Sequence, residues 1–79
     1  MDYKQYIVRD PNICGGEPTL KGTRVTLRTV LASLAEGATV AEILQDFPTL
    51  NEDLVRAAIV FAAASAQEDL PSPGVPGAV

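Results

Sequence analysis

A chain of 79 residues makes one small domain and buries too little surface for a large core, so a second copy or another macromolecule is expected to complete it. Hydrophobic residues at 47% exclude wholesale disorder, and no apolar run approaches the roughly 18 residues needed to cross a bilayer. A net charge of -4 with a pI near 4.5 argues against strong non-specific binding to nucleic acid, because phosphate affinity rests on cations.

The charge is unevenly placed. Residues 1–28 carry Lys4, Arg9, Lys21, Arg24 and Arg28 against Asp2, Asp10 and Glu17, a balance of +2. Residues 29–79 carry Arg56 against seven acids, a balance of -6. A mildly basic part thus precedes an acidic one, and a dimer would double both patches. The opening Met1-Asp2-Tyr3-Lys4-Gln5 has no apolar secretion leader, and a single cysteine makes no internal disulfide; both suit the cytoplasm.

In chain order, Tyr6-Ile7-Val8 is a short β-prone run stopped by Asp10-Pro11-Asn12, a turn signal. Next comes the stretch Ile13-Cys14-Gly15-Gly16-Glu17-Pro18-Thr19-Leu20-Lys21-Gly22-Thr23-Arg24-Val25. Its glycines and proline specify a particular loop shape. Pro18-Thr19-Leu20 and Thr23-Arg24-Val25 flank Lys21-Gly22, which predicts a tight hairpin with a two-residue turn. Lys21 and Arg24 lie on this hairpin and Arg28 follows it, so these three form a candidate contact surface.

Helices follow. Leu27, Val30, Leu31 and Leu34 recur at helical spacing, with Thr26 as N-cap and Gly37 as C-terminal cap, which predicts a helix over Leu27 to Glu36. Thr39 and Glu42 form a capping box ahead of a stripe of Val40, Ile43, Leu44 and Phe47, and Pro48 ends that second helix. Thr49 or Asn51 caps a third helix, with Glu52 and Asp53 at the positive end of its dipole. Leu54, Ala58, Phe61, Ala62 and Ser65 mark one face of it, widened by Val55 and Ile59. The many alanines let another helix approach closely, so this face is the candidate dimer or partner interface. Residues 1–70 are expected to form the single domain. Residues 71–79, with three prolines and two glycines, read as a tail outside it.

Enzymatic chemistry is poorly supplied. There is no histidine, which removes the usual nucleophilic dyads and imidazole metal ligands, and Cys14 alone cannot hold zinc. Gly16 to Thr23 superficially suggests a phosphate loop, but it ends Lys-Gly-Thr where such loops end Gly-Lys-Thr, and Pro18 removes an amide donor. Neither an enzyme nor a cofactor is expected. Cys14 reads as a small filler beside two glycines.

Asp10-Pro11, Ile13-Cys14-Gly15-Gly16-Glu17-Pro18 and Lys21-Gly22-Thr23-Arg24-Val25, followed by Leu34-Ala35-Glu36-Gly37 and Phe47-Pro48-Thr49-Leu50, resemble the family known as domain of unknown function 433, over about Tyr6 to Phe61. The resemblance implies a mainly α fold: a short N-terminal β element, then a three-helix, homeodomain-like helix-turn-helix. It also implies an antitoxin of a type II toxin–antitoxin pair, VapB-like, whose partner is a PIN-like ribonuclease toxin. A homodimer that represses its own operon through operator DNA would follow. In such an arrangement the third helix enters the major groove, where Asn51 and Arg56 are placed to read base edges. Glu52 and Asp53 would face phosphates there and be repelled, so Lys21, Arg24 and Arg28, on the hairpin and the first helix, are expected to supply much of the phosphate contact if DNA is bound. That conflict supports an alternative, a protein-interaction module that keeps the helix-turn-helix only as scaffold.

Overall fold

The computed structural model describes residues 1–69; the tail assigned to 71–79 lies outside the described residues. The chain opens with a 3-10 turn, Tyr3–Tyr6, capped by Asp2, whose carboxylate accepts the Lys4 backbone N–H at 3.2 Å. Strand β1, Ile7–Val8, continues from it. The Asp10-Pro11-Asn12 turn then closes as the residue types require: the Asp10 carboxylate accepts the Asn12 N–H at 2.9 Å and its carbonyl accepts the Ile13 N–H at 2.9 Å. Cys14, Gly15 and Gly16 follow in a second 3-10 turn with φ of 50, 65 and 86°. Strand β2, Thr19–Leu20, pairs antiparallel with β1, Ile7 opposite Leu20 and Val8 opposite Thr19.

This pairing corrects the predicted hairpin. The strand partner of Thr19-Leu20 is β1, while the arm after the turn adds an antiparallel Thr19–Thr26 bridge, a Leu20 N–H bond to the Val25 carbonyl and a Leu27 N–H bond to the Pro18 carbonyl, both at 3.0 Å. The turn itself is the reason. Thr23 N–H bonds the Leu20 carbonyl at 3.0 Å, and Gly22 has φ 79° while Lys21 has no positive φ, the pattern of a type II turn. That turn splays its arms, unlike the primed turns that suit two-residue hairpins.

The helices match their local signals closely. Helix α1 spans Leu27–Ala35, with the Thr26 hydroxyl accepting the Thr29 N–H. It ends in a Schellman motif: Gly37, at φ 98°, donates to the Leu34 carbonyl and Ala38 to that of Ser33, both at 3.0 Å. Helix α2, Val40–Asp46, carries the complete capping box of Thr39 and Glu42. Phe47 closes it ahead of Pro48. Helix α3, Glu52–Asp69, starts at Asn51, whose side-chain oxygen accepts the Leu54 N–H at 2.9 Å. α2, the turn through Pro48-Thr49-Leu50, and α3 form the helix-turn-helix.

Leu20, Leu27, Val30, Ile43, Leu50, Leu54, Val55 and Ala58 make one core, drawn from β2, all three helices and the turn before α3. Burial of each large aliphatic side chain among them contributes about 1.5–3 kcal/mol. Thr19 is buried with them, and its hydroxyl donates to the Val8 carbonyl at 3.3 Å. The first 3-10 turn packs along α3, where the rings of Tyr3 and Phe61 meet edge to face, 5.9 Å between centroids. No helix among the described residues is long and apolar enough to cross a membrane.

Candidate functional site

The candidate residues are delivered by four local devices: the Gly22 turn, the start of α1, the Asn51 cap and the exposed side of α3. Lys21 follows β2 directly and is exposed; its backbone N–H bonds the Tyr6 carbonyl at 2.8 Å, which pins it beside the first turn. Arg24 is exposed on the rim of a cleft of about 560 Å³ lined by Val8, Ile13, Thr19 and Thr49. Its carbonyl accepts the Cys14 S–H at 3.2 Å. Cys14 is therefore exposed and tethers the loop, and does not fill space between glycines.

Arg28 departs from the role expected of it. Its guanidinium donates to the Glu17 carboxylate at 2.9 Å, with side chains 77% and 41% exposed, so this cation already has a counter-charge. The pair borders an apolar cleft of about 520 Å³ between α1 and α3, floored by Leu27, Leu31 and Phe61. Asn51 is exposed, but its side-chain oxygen is committed to the helix cap. Arg56 lies with Glu52 on a third cleft, of about 500 Å³, beside Val40, Ile59 and Val60. Arg24, Arg28 and Arg56 thus line three separate concavities.

The interface candidates also divide. Leu54 and Ala58 are buried in the protomer's own core, together with Val55 and Ala57, so they offer nothing to a partner. Phe61, Ala62 and Ser65 are half-buried. Ile59, expected to widen the inner face, is 41% exposed and looks outward with Arg56 and Ala63. The inner face is turned toward 54, 55, 57 and 58 because α1, α2 and the first 3-10 turn pack against this helix. In an alanine-rich helix the side-chain pattern alone does not choose that side.

Lys4 and Arg9 went unsingled by the sequence reading. They share a cleft of about 320 Å³ with Tyr3, Ile7 and Phe61. The signal available was their place in the basic first 28 residues; what was missing was the 3-10 turn that folds Lys4 back toward Arg9. The carboxylates are simpler. Glu42 accepts the Thr39 backbone N–H at 2.9 Å, and this bond, with that to the Thr39 side chain, holds its carboxyl below the ordinary carboxylate range. Among the described residues no group of three or more His, Cys, Asp or Glu is placed to hold a metal ion.

An uncharacterized protein, y4eO, of Sinorhizobium fredii (strain NBRC 101917 / NGR234) is 36% identical over 62 residues, covering 78% of this chain and 28% of that protein. The chain therefore spans little more than a quarter of the length of this curated relative. The crystal structure of a DUF433 member protein from Anabaena variabilis ATCC 29413 superimposes with a TM-score of 0.70 at 27% identity, covering 85% of this chain and 70% of that one. The family described as protein of unknown function (DUF433) matches residues 7–62, from the first residue of β1 to one turn beyond the core of α3. The chain belongs to the DUF433 family.

Proposed function

We propose that the chain is the antitoxin of a type II toxin–antitoxin pair, a cytoplasmic homodimer that neutralises a PIN-like ribonuclease and represses its own operon on operator DNA. The reading rests on the family resemblance, and the observation that carries it is the segregation of charge over the helix-turn-helix. Glu42, Asp46, Glu52 and Asp53 are all exposed on α2 and the start of α3. Lys4, Arg9, Lys21 and Arg24 are exposed in the N-terminal part. A ribonuclease must present cations to the phosphates of its substrate, and exposed carboxylates compete for those cations. The chain acts here by occupying surfaces, without catalysis or a cofactor. In the homodimer, Phe61, Ala62 and Ser65 supply contact from α3, while Leu54 and Ala58 stay inside each protomer.

Co-expression with the product of the adjacent gene tests this. The expected result is a co-purifying complex in which RNA cleavage is inhibited. Glu52→Lys with Asp53→Lys should weaken inhibition by at least about tenfold, since opposing charges at a contact set both encounter and register. Absence of a complex overturns the reading.

One feature favours a second reading, a protein-interaction module that never touches DNA. Glu52 and Asp53 occupy the end of α3 that a recognition helix presents to the DNA. In that case the neighbour is bound but operator DNA is not.

A further inference from the structure

We infer that the DNA-contacting surface is the β1–β2 pair with its adjoining turns, and not α3: Lys4, Arg9, Lys21 and Arg24 meet the phosphate backbone of duplex DNA. This rests on the operator-binding half of the reading above and names the surface that carries it.

Of the 6 cations in the chain, Arg28 is neutralised by Glu17, and Arg56 shares its cleft with Glu52. Among the described residues neither Arg56 nor the other four form an ion pair. The acids near them are occupied by the backbone: Asp2 caps the first turn and Asp10 accepts the Asn12 N–H. Neither forms an ion pair with a neighbouring cation.

Topology then places the four around one strand pair. Lys21 is held beside Tyr6 by its 2.8 Å backbone bond, one turn from Lys4. Lys4 and Arg9 line the cleft that includes Ile7, and Arg24 lines the one that includes Val8. Ile7 and Val8 are consecutive in a strand, so their side chains leave by opposite faces. Cations therefore flank both sides of a two-stranded element whose strands lie about 4.8 Å apart. Both residues of β2 are buried, so the pair has no free face to lay into a groove. Contact is with phosphates, which makes it tolerant of sequence and steeply dependent on salt.

The test is fluorescence anisotropy of the full chain with a labelled duplex from its own upstream region, titrated between about 50 and 200 mM salt, the range over which phosphate contacts are lost. Lys4→Ala with Arg9→Ala, and Lys21→Ala with Arg24→Ala, should each weaken binding at least about tenfold. Each pair should also flatten the slope of log affinity against log salt by about 2, since one phosphate contact accounts for about 0.9. Arg56→Ala with Asn51→Ser, which keeps the helix cap, should leave both unchanged. All substituted side chains are exposed, and circular dichroism verifies the fold. Loss of binding only in the α3 variant overturns the inference, as does displacement of the duplex by single-stranded RNA at equal concentration. A wild-type chain that inhibits its neighbour but binds no duplex overturns this inference while leaving the antitoxin reading standing.

Discussion

Arg28 and Glu17, 11 residues apart in the chain, meet at 2.9 Å and tie the first turn of α1 to the glycine-rich loop. Both side chains are well exposed, so the pair is screened and adds little to stability. Arg28→Ala is expected to shift the unfolding free energy by less than about 1 kcal/mol in urea denaturation. Its larger effect is electrostatic. Glu17→Gln removes a carboxylate two residues before β2 and should tighten binding to duplex DNA a few-fold at low salt, measured by anisotropy.

The capping box of α2 gives the fold a dependence on acid. Backbone and side-chain bonds from Thr39 favour the ionised form of Glu42, so its folded value lies below its unfolded one. The sign follows: this stabilisation is full above the ordinary glutamate range and is lost as pH falls through the depressed value. Urea midpoints of the wild type and Glu42→Gln should differ at neutral pH and converge as the pH is lowered through that range. Thr39→Ala removes the cap itself and should cost about 1 kcal/mol at neutral pH.

Two glycines hold turns that other residues resist. Gly22 and Gly37 have φ of 79 and 98°, and a Cβ on either would meet open space, so the penalty of a side chain is conformational and not a clash. Gly22→Ala and Gly37→Ala should each destabilise by about 1 kcal/mol, read from thermal and urea unfolding together.

Asn51 separates structure from recognition. Asn51→Ala leaves the Leu54 N–H without its 2.9 Å acceptor and should cost about 1 kcal/mol, whereas Asn51→Ser keeps an N-cap oxygen and should stay within about 0.5 kcal/mol of wild type. Unfolding curves of the two variants check this. A loss of DNA binding seen in the alanine variant but absent in the serine variant would then report on the helix end, not on base reading.

Local rules explain which parts of the fold were legible in the sequence. Thr26, Gly37, Thr39 with Glu42, and Pro48 each act within one turn of chain, and each stands where its residue type predicts. The partner of β2 was not legible, because Ile7-Val8 and Thr23-Arg24-Val25 are both β-compatible and the Gly22 turn decides between them. The Arg28–Glu17 pair depends on how the Cys14–Gly16 turn returns the loop to α1, which no spacing reveals. For α3, alanine on several sides blurs the inner face, so Ile59 was placed inward and Leu54 and Ala58 were offered to a partner they cannot reach. Of the candidate site, the N-terminal clustering of cations was legible in composition; the pairing of Lys4 with Arg9 in one cleft required the first 3-10 turn.

Among the α3 residues whose burial is described, 52–67, the fully buried ones stop at Ala58, although the helix runs on to Asp69. Its first half is anchored by the core, and beyond the Tyr3–Phe61 contact Ala62, Ala64 and Ser65 are only half-buried, so this part relies more on its own backbone bonds and on the intrinsic preference of alanine. Its amides should accordingly fall into two exchange regimes, slow through Ala58 and fast across Ala62 to Gln67. A macromolecule seated on that outer half would announce itself as deuterium uptake slowed there, with no rearrangement of the domain beneath.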